Sequence, residues 1–445
     1  MSGCYTRRVP RLSPFTGLVY DVAVSGPLEN VTAPPYDVIS DQRRLEHLRA
    51  SPFSVVHLDL AEGADDPSHP ANRYTKAAIL LRDWEARGAL RRAPEPCYFA
   101  YEMVVEPPRG ALAAMMGGRS GARTVRGLIC AMELEEWGGT VLPHEEVREG
   151  PVQDRLALLR ATRTHLSPVY GMLDTRDGRL EAFLRDVASG PAPFEVVDGQ
   201  GDRHRMWPFS VGAAAQAQLG GLEQERLLIA DGHHRYTAAL RYRAERRRVD
   251  GPGSWDSMMT LVVDPAAEHL PVMPLHRVQL YGEAVPAEGA VTTGLTETLR
   301  ALDDDEVTAG TISRGTGGDV GYRVRSLEGA PPTVKALHEA LLDDLVPAAS
   351  LRYEADAAEA DAAVRRGEAV AAYLLPPTTL GRIMALVERG ERLPQKSTYF
   401  WPKPLTGMVM MPLDPAPFRQ GSSRAAQDRA AGAAATQTDR ADRAS

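Results

Sequence analysis

The chain has 445 residues, a formal net charge of -8 and 25% charged residues. This length can bury a sizeable core and predicts two or three domains. The acidic balance argues against general affinity for nucleic acids or anionic membranes, and no apolar run is long enough to span a bilayer. Three scattered cysteines without CxxC spacing are typical of reduced thiols. We therefore expect a soluble cytoplasmic protein with a small-molecule partner.

The N-terminal part predicts alternating strands and helices. Residues 30–40 contain a pair of prolines that stiffens the backbone around Tyr36 and Asp37, which we expect either near a substrate pocket or in a turn capped by Asp37. A strand is predicted at 54–60. An amphipathic helix is predicted at 74–87, with Trp84 packed inward. Strands at 96–105 and 124–134 follow, joined by a Gly- and Met-rich loop, residues 107–121, that has the composition of a mobile lid.

A loop and a helix come next. His144 and Glu145 precede a helix predicted at 152–163, and their residue types suit an acid/base pair or metal ligands. A surface loop with a carboxylate at the helix start remains an alternative. Arg155 and Arg163 lie off the apolar stripe of that helix, so the helix is expected to present arginines to a ligand.

The most informative segment is a strand, a tight turn and a helix start around residues 227–246. The apolar run 227–230 predicts a buried strand, and residues 237–246 continue as a helix. Gly232 allows a sharp turn, and the first amides of the helix then lack partners and attract anions. The phosphate- and nucleotide-binding residues predicted here are Gly232, His233, His234, Arg235 and Tyr236, with Asp231 at their start.

A purely structural interpretation of this turn stays open, in which Asp231 caps the helix and Arg235 pairs with a carboxylate. The carboxyl end of a buried strand is nevertheless where open α/β folds place ligands. The segment matches neither GxxxxGK[ST] nor GxGxxG. No metal site is expected from the histidines, because adjacent histidines followed by arginine are poor metal geometry and no HExxH occurs.

The C-terminal part predicts a smaller α/β unit. A strand at 258–263 leads to His276 and Arg277, which either extend the polar pocket or end a strand in solvent. Helices are predicted at 295–302, 333–345, 358–366 and 380–389, and strands at 320–324 and 369–375. The domain prediction is a flexible N-terminus at 1–13, a main domain at 14–277, the smaller unit at 278–413 and a disordered tail at 414–445.

The end of this unit, residues 394–403, sets polar groups beside three consecutive aromatic residues. Lys396, Ser397 and Thr398 suit phosphate contacts, and an aromatic ring suits stacking on a base. The alternative is a core strand with an exposed lysine. If these residues bind phosphate, the C-terminal segment must return across the pocket of the main domain.

Several motifs together resemble domain-of-unknown-function family 1015, over residues 14–413. The motifs are APPYDVI at 33–39, LPHE at 142–145, DRL at 154–156, SP at 167–168, IADGHHRY at 229–236 and PQKSTYF at 394–400. The DGHHR element also resembles the phosphate-binding turn of the ParB and sulfiredoxin superfamily, which includes free-serine kinases. That resemblance implies an α/β (α+β, mixed sheet) fold and nucleotide phosphate binding. It does not imply DNA binding, and sulfiredoxin chemistry would need a cysteine where His233 stands.

These features predict a nucleotide-dependent phosphotransferase, a small-molecule kinase using ATP or ADP with Mg²⁺ on a small polar metabolite. Asp231 or Glu145 is expected to act as base or metal carboxylate, with His144 as a further catalytic group. Arg155 or Lys396 would offset developing negative charge. Two alternatives remain, a ParB-like nucleotide-binding regulatory module without catalysis and a metal-dependent phosphoester hydrolase.

Overall fold

The computed structural model describes residues 10–413 except 106–121, 174–176, 211, 213–218, 220–221, 223–224, 266–271, 287 and 316. The Gly- and Met-rich loop predicted at 107–121 and the tail predicted at 414–445 lie outside the described residues, as do residues 1–9 of the predicted N-terminal segment. None of the helices in the described part is long and apolar enough to cross a membrane.

A mixed sheet of nine described strands forms the centre of the molecule. Two strand pairs are parallel and the others antiparallel, so the predicted mixed α/β fold is confirmed. In spatial order the strands are Val141–Pro143, Leu227–Asp231, Val169–Leu173, Ser257–Val263, Arg123–Glu133, Tyr98–Val105, Arg203–Phe209 and Phe194–Val197, and Leu12–Ser13 also pairs with Arg123–Glu133.

A second sheet of six described strands lies in the C-terminal part. Its strands, in spatial order, are Ala290–Thr292, Val320–Ser326, Thr308–Arg314, Ala371–Leu374, His276–Gln279 and Leu351–Glu354. All of its pairings are antiparallel, and it has a small core of its own that includes Val278, Ile312 and Val364. The division of the chain at residue 278 stays a prediction.

Helices cover these sheets. The longer ones in the described part are Asp41–Ala50, Arg73–Ala86, Glu149–Thr162, Arg179–Val187, His233–Asp250, Leu295–Arg300, Thr333–Leu337, Ala357–Arg366 and Leu380–Glu388. Single turns lie at Val22–Ser25, Leu28–Val31, Tyr36–Val38, Val56–Asp59, Ser254–Asp256, His338–Leu342, Asp343–Leu345 and Ala348–Ser350. The helix His233–Asp250, here called the site helix, packs against Glu149–Thr162, which in turn packs against Arg73–Ala86.

Most predicted elements are present, but the strand predicted at 54–60 is wrong. A helical turn, Val56–Asp59, occupies this segment. Val55, Val56, Leu58 and Asp59 are all buried, and the amides of Leu58, Asp59 and Leu60 bond to carbonyls three or four residues earlier, as in a helical turn. The helix with Trp84 facing inward is confirmed, since this side chain is 1% exposed and packs against Phe53 and Tyr20.

The C-terminal segment returns to the main sheet region after the second sheet is complete. Thr398–Phe400 pairs with Val272–Pro274, and Met411–Pro412 pairs with Thr164–His165. Residues 394–413 therefore cross the region where the strand Leu227–Asp231 meets the site helix, and they bring side chains from the end of the chain to that turn.

Candidate functional site

The site helix begins at His233, and Gly232 forms the turn between Asp231 and this helix. Gly232 has a φ of +97°, and a Cβ atom there would lie 2.9 Å from Val169 Cγ1 and 3.0 Å from Arg235 Nη2. The first hydrogen bond of the helix runs from the amide of Tyr236 to the carbonyl of Gly232. The amides of residues 233–235 precede that bond and form the partly positive N-terminus of a helix of 18 residues.

Five charged side chains converge beside this helix end, and we call them the charged cluster: Asp37, Asp231, Arg235, Lys396 and Lys403. The Lys403 ammonium lies 2.5 Å from Asp231 Oδ1 and 3.6 Å from Asp37 Oδ2. The Lys396 ammonium lies 3.0 Å from Asp37 Oδ2, and Arg235 Nη2 lies 2.6 Å from Asp231 Oδ2. Three cations thus share two carboxylates, which leaves an excess of one positive charge.

The charges of the cluster are mutually stabilised. Burial disfavours the ammonium form of Lys403, but the charges of Asp231 and Asp37 outweigh this effect and hold the pKa of that lysine above its usual value. Burial also disfavours the carboxylate of Asp37, yet Lys403 and Lys396 hold its pKa well below the usual range. Both groups therefore remain ionised at neutral pH.

Arg235 is fixed from two sides. Its Nη1 atom donates to the Ser167 hydroxyl at 2.7 Å and to the carbonyl of Pro168 at 2.6 Å, while Nη2 binds Asp231. The guanidinium is thus held at the helix end by the segment that leads into the strand Val169–Leu173 as well as by its own turn. The purely structural interpretation of the turn predicted that Arg235 pairs with a carboxylate. Arg235 does pair with Asp231, and the cations Lys396 and Lys403 also lie at this helix end.

Lys403 was not among the predicted site residues. It lies in the 394–403 segment for which phosphate binding is predicted. That prediction names Lys396, because Lys396 directly precedes the polar Ser397 and Thr398. The carboxylates that bind Lys403 belong to residues 37 and 231. No local pattern in the sequence signals a pairing over such distances along the chain.

The two adjacent histidines fasten a loop to the site helix. Nε2 of His233 accepts a hydrogen bond from the amide of His144 at 3.3 Å, and Nε2 of His234 accepts one from the amide of Arg148 at 3.2 Å. Burial, followed by the charge of His144, lowers the pKa of His233 well below its usual value. Burial and then Lys396 lower the pKa of His234. These Nε2 atoms accept from backbone amides, so the phosphate-donor role predicted for the two histidines falls to Nδ1 of each ring and stays a prediction.

Glu145 binds the turn at residues 396–398, and we call this arrangement the Glu145 contact. Oε2 accepts from the amide of Lys396 at 3.1 Å, and Oε1 accepts from the amides of Ser397 and Thr398, both at 3.2 Å, and from the Thr398 hydroxyl at 2.9 Å. Lys396 has a φ of +55°, which points successive amides toward one anion. Burial opposes ionisation of Glu145, but hydrogen bonding and charge from His144 outweigh it and hold its pKa well below the usual range.

The Glu145 contact changes the roles predicted for four residues. His144 is fully buried, with Nδ1 donating to the carbonyl of Ile229 at 2.8 Å and Nε2 at 2.7 Å from the Thr398 hydroxyl. His144 and Glu145 thus anchor the C-terminal segment instead of forming a free acid/base pair. The backbone amides of Ser397 and Thr398 face Glu145 and not the charged cluster, which only the side chain of Lys396 joins.

Arg155 is also placed differently from the prediction. It is 6% exposed, its Nη1 donates to Asp59 Oδ1 at 2.6 Å and its Nε donates to Asp154 Oδ2 at 2.7 Å. The ring of Tyr36 lies over the guanidinium, with its centroid 4.1 Å from Cζ. Arg155 is therefore neutralised and buried, and it supports the turn that carries Asp37 into the charged cluster instead of meeting a ligand itself.

Three further predicted residues lie in the core. The Tyr236 hydroxyl donates to the carbonyl of Glu135 at 2.8 Å, away from the helix end. His276 is fully buried and accepts from the amide of Leu375. Arg277 is fully buried and donates to the carbonyl of Lys396 at 2.8 Å, so it supports the turn at 396–398 from behind. None of these three side chains contacts the charged cluster in the described part of the chain.

Within the described residues, no three His, Cys, Asp or Glu side chains converge as a metal site would need. The two carboxylates of the charged cluster, Asp37 and Asp231, both bind the ammonium of Lys403.

Removal of the Glu145 carboxylate tests the anchoring role. We expect Glu145→Ala to lower the free energy of unfolding by about 3 kcal/mol, because buried amides of residues 396–398 lose an ionised acceptor. Denaturant unfolding measures this change, and hydrogen exchange should show faster exchange of those amides. The matched control is Glu146→Ala at the exposed neighbouring position. Equal losses in both variants would contradict an anchoring role.

The buried histidines predict a loss of stability in mild acid. Burial and then the charge of Arg277 lower the pKa of His276 to about 3. Since an unfolded histidine titrates near a pKa of about 6.5, only the unfolded chain takes up this proton between pH 7 and 5. The free energy of unfolding is therefore highest above a pH of about 6.5 and falls as the pH decreases, by about 2 kcal/mol at pH 5 for this residue.

Unfolding free energies of His276→Gln, measured from pH 7 to 5, should accordingly depend less on pH than those of the natural chain. His69→Gln, at an exposed histidine, serves as the control and should keep the original slope. An unchanged slope in His276→Gln would show that His276 is not the group whose protonation is suppressed by folding.

Comparison with known proteins gives one family match and several structural neighbours. The family model DUF1015, described as a protein of unknown function, matches residues 12–288. No curated protein matches the chain. A conserved hypothetical protein from Pyrococcus furiosus is similar, with 16% identity over 62% of this chain and 93% of that chain and a TM-score of 0.34.

Two other solved structures are similar at the same level. A free serine kinase in complex with AMP has 13% identity over 64% of this chain and 91% of that chain, with a TM-score of 0.38. SbnI with a C-terminal truncation, from Staphylococcus aureus, has 12% identity over 64% and 88%, with a TM-score of 0.31. Scores this low do not transfer an activity. The family model, in contrast, covers more than half of the sequence, and the chain therefore belongs to DUF1015, a family of proteins of unknown function.

Proposed function

We propose that this protein is a nucleotide-dependent phosphotransferase acting on a small polar metabolite, and that the nucleotide phosphates bind at the charged cluster. One observation carries the proposal. Arg235, Lys396 and Lys403 converge on the open N-terminus of the site helix, with two carboxylates among them. Helix amides and an excess of fixed cations are what a phosphate group requires from a protein.

The cluster suits phosphoryl transfer because that reaction asks for positioned positive charge more than for covalent chemistry. The ammonium groups of Lys396 and Lys403 would neutralise phosphate oxygens, and the amides of residues 233–235 would donate to them. Arg235, held by Ser167 and Pro168, is fixed before the ligand arrives, so little entropy is lost when it binds.

The carboxylates have separate uses in this proposal. Asp37 is the residue that would hold Mg²⁺, since hard cations prefer carboxylate oxygens. A cation held there would supply further positive charge beside the phosphate oxygens. Asp231 is the carboxylate placed to orient the attacking hydroxyl group, because it lies at the helix end. Glu145 is not suited to this role, since its oxygens already accept from three amides and a hydroxyl group.

Nucleotide binding at the cluster should depend on Lys396. We expect Lys396→Met to weaken binding of the preferred nucleotide at least tenfold, which is about 1.4 kcal/mol for one charge-assisted contact. Lys396 is 36% exposed on its side chain, so the variant should fold. Titration calorimetry with magnesium and ATP, ADP, CTP, GTP or pyrophosphate gives the measurement, and Lys76→Met, an exposed lysine on another helix, is the control.

Two outcomes would overturn the binding site. One is the absence of binding by every nucleotide and by pyrophosphate in the natural chain. The other is an affinity of Lys396→Met equal to that of the Lys76→Met control. Binding by pyrophosphate alone would instead locate a phosphate site without a nucleotide preference.

A regulatory nucleotide-binding module remains the second candidate, and one observation favours it. The same lysines that would bind phosphate fasten the C-terminal segment to Asp37 and Asp231. Phosphate binding would redistribute these ion pairs, which is enough to change the position of that segment without any chemical step.

Asp231→Asn separates the two candidates. For a phosphotransferase, we expect phosphate transfer to an acceptor to fall by about 100-fold or more, because the carboxylate that orients the hydroxyl is lost. Nucleotide affinity should change much less. Transfer of labelled phosphate to a panel of hydroxyl metabolites measures the first quantity and calorimetry the second. If Asp231→Asn transfers phosphate at the rate of the natural chain, Asp231 has no catalytic role.

A further inference from the structure

An open cavity of about 580 Å³ lies beside the segment that carries Lys396. Pro394 and Gln395 line it, but none of the five residues of the charged cluster does. Its volume falls within the range of small-molecule sites, roughly 300–1,000 Å³. The cavity is therefore a separate space, adjacent to the charged cluster through the turn at 396–398.

One wall of this cavity is positively charged. Arg148 and Arg392 line it, and they come from chain segments that run side by side, because the amide of Glu146 donates to the carbonyl of Leu393 at 3.2 Å. Glu146 also lines the cavity, but neither guanidinium forms an ion pair with it or with another carboxylate in the part of the chain that the structure describes. Two guanidiniums in one cavity without carboxylate partners suit an anionic group of a ligand.

Another wall is acidic and comes from a different element. The helical segment at residues 338–345 contributes Glu339, Asp343 and Asp344 to the lining. Asp343 binds Nδ1 of His338 at 2.8 Å and Glu339 lies 3.4 Å from Lys335, whereas the Asp344 side chain is exposed beside them. Lys335 lines the cavity as well, but three carboxylates against one ammonium leave this wall with an excess of negative charge.

A buried arginine holds two further lining residues. His338 and Tyr353 line the cavity, and both contact the buried guanidinium of Arg277. Nε of Arg277 donates to Nε2 of His338 at 3.0 Å, and its Cζ lies 4.9 Å from the centre of the Tyr353 ring. Arg277 also binds the carbonyl of Lys396. Arg277 thus ties two lining residues of the cavity to the turn that carries Lys396.

We propose that this cavity binds a small zwitterionic metabolite, with its anionic group at Arg148 and Arg392 and its ammonium group at the wall of Asp343 and Asp344. The opposite charges of the two walls carry the inference, because a ligand of one charge satisfies one wall and is repelled by the other. The site is distinct from the charged cluster and goes beyond the proposed phosphate binding. Its occupancy reaches the cluster through Gln395, the neighbour of Lys396.

The test uses the full chain and a series of unbranched amino carboxylates from glycine to 6-aminohexanoate, which varies the distance between the two charges. Hexanoate and hexylamine carry one charge each and serve as ligand controls. Titration calorimetry at low salt should find at least one zwitterion with a Kd of about 1 mM or tighter, and both single-charge ligands at least about tenfold weaker.

Arg148 and Arg392 are exposed, so their substitution should not prevent folding. Arg148→Gln combined with Arg392→Gln should weaken the best zwitterion at least about tenfold, while Arg49→Gln, an exposed arginine outside the cavity, should leave it unchanged. The inference is overturned if no member of the series binds at about 10 mM, if hexanoate binds as tightly as the zwitterion, or if the double variant retains affinity. Nucleotide titrations of the same double variant should match the natural chain, so failure of this site is distinguishable from failure of the phosphate site.

Discussion

The carboxylate of Glu145 holds three consecutive amides from residues 396–398, and the candidate site depends on this contact. The contact joins positions that are 251 to 253 residues apart along the chain. It fixes the turn that directs Lys396 toward Asp37, and the same segment then places Lys403 between Asp37 and Asp231. Without the Glu145 contact, Arg235 would remain at the helix end, but the turn that carries Lys396 would lose its anchor.

A second constraint is the balance of charge around this helix end. Buried lysines need carboxylates nearby, and Lys403 has two of them. The site is therefore already partly neutralised, so a phosphate bound as proposed would exchange partners with Asp37 and Asp231 instead of filling an empty cationic pocket. Such an exchange couples ligand binding to the attachment of the C-terminal segment.

Local patterns predicted the strand, the glycine turn and the helix around Asp231, because each depends on residues within a few positions. The same reasoning gave most of the longer helices but fewer than half of the strands in the two main sheets. It was wrong for residues 54–60, where burial on neighbouring positions fits a helical turn. Several polar side chains predicted to face a ligand also bind other groups of the protein: His233 and His234 accept from loop amides, and Arg155 is buried between two carboxylates. Except for Asp154, these partners are distant in sequence and become visible only in the folded chain.

The order in which the chain is synthesised has a consequence for this arrangement. The strand Leu227–Asp231 and the site helix leave the ribosome long before residues 396 and 403, and N-terminal parts of a protein generally fold first. A nascent chain therefore presents the glycine turn and Arg235 with Asp37 and Asp231 still lacking their lysines. Both aspartates then face an incomplete site, and the ionic contacts at this helix end close only when the last segment of the described chain is in place.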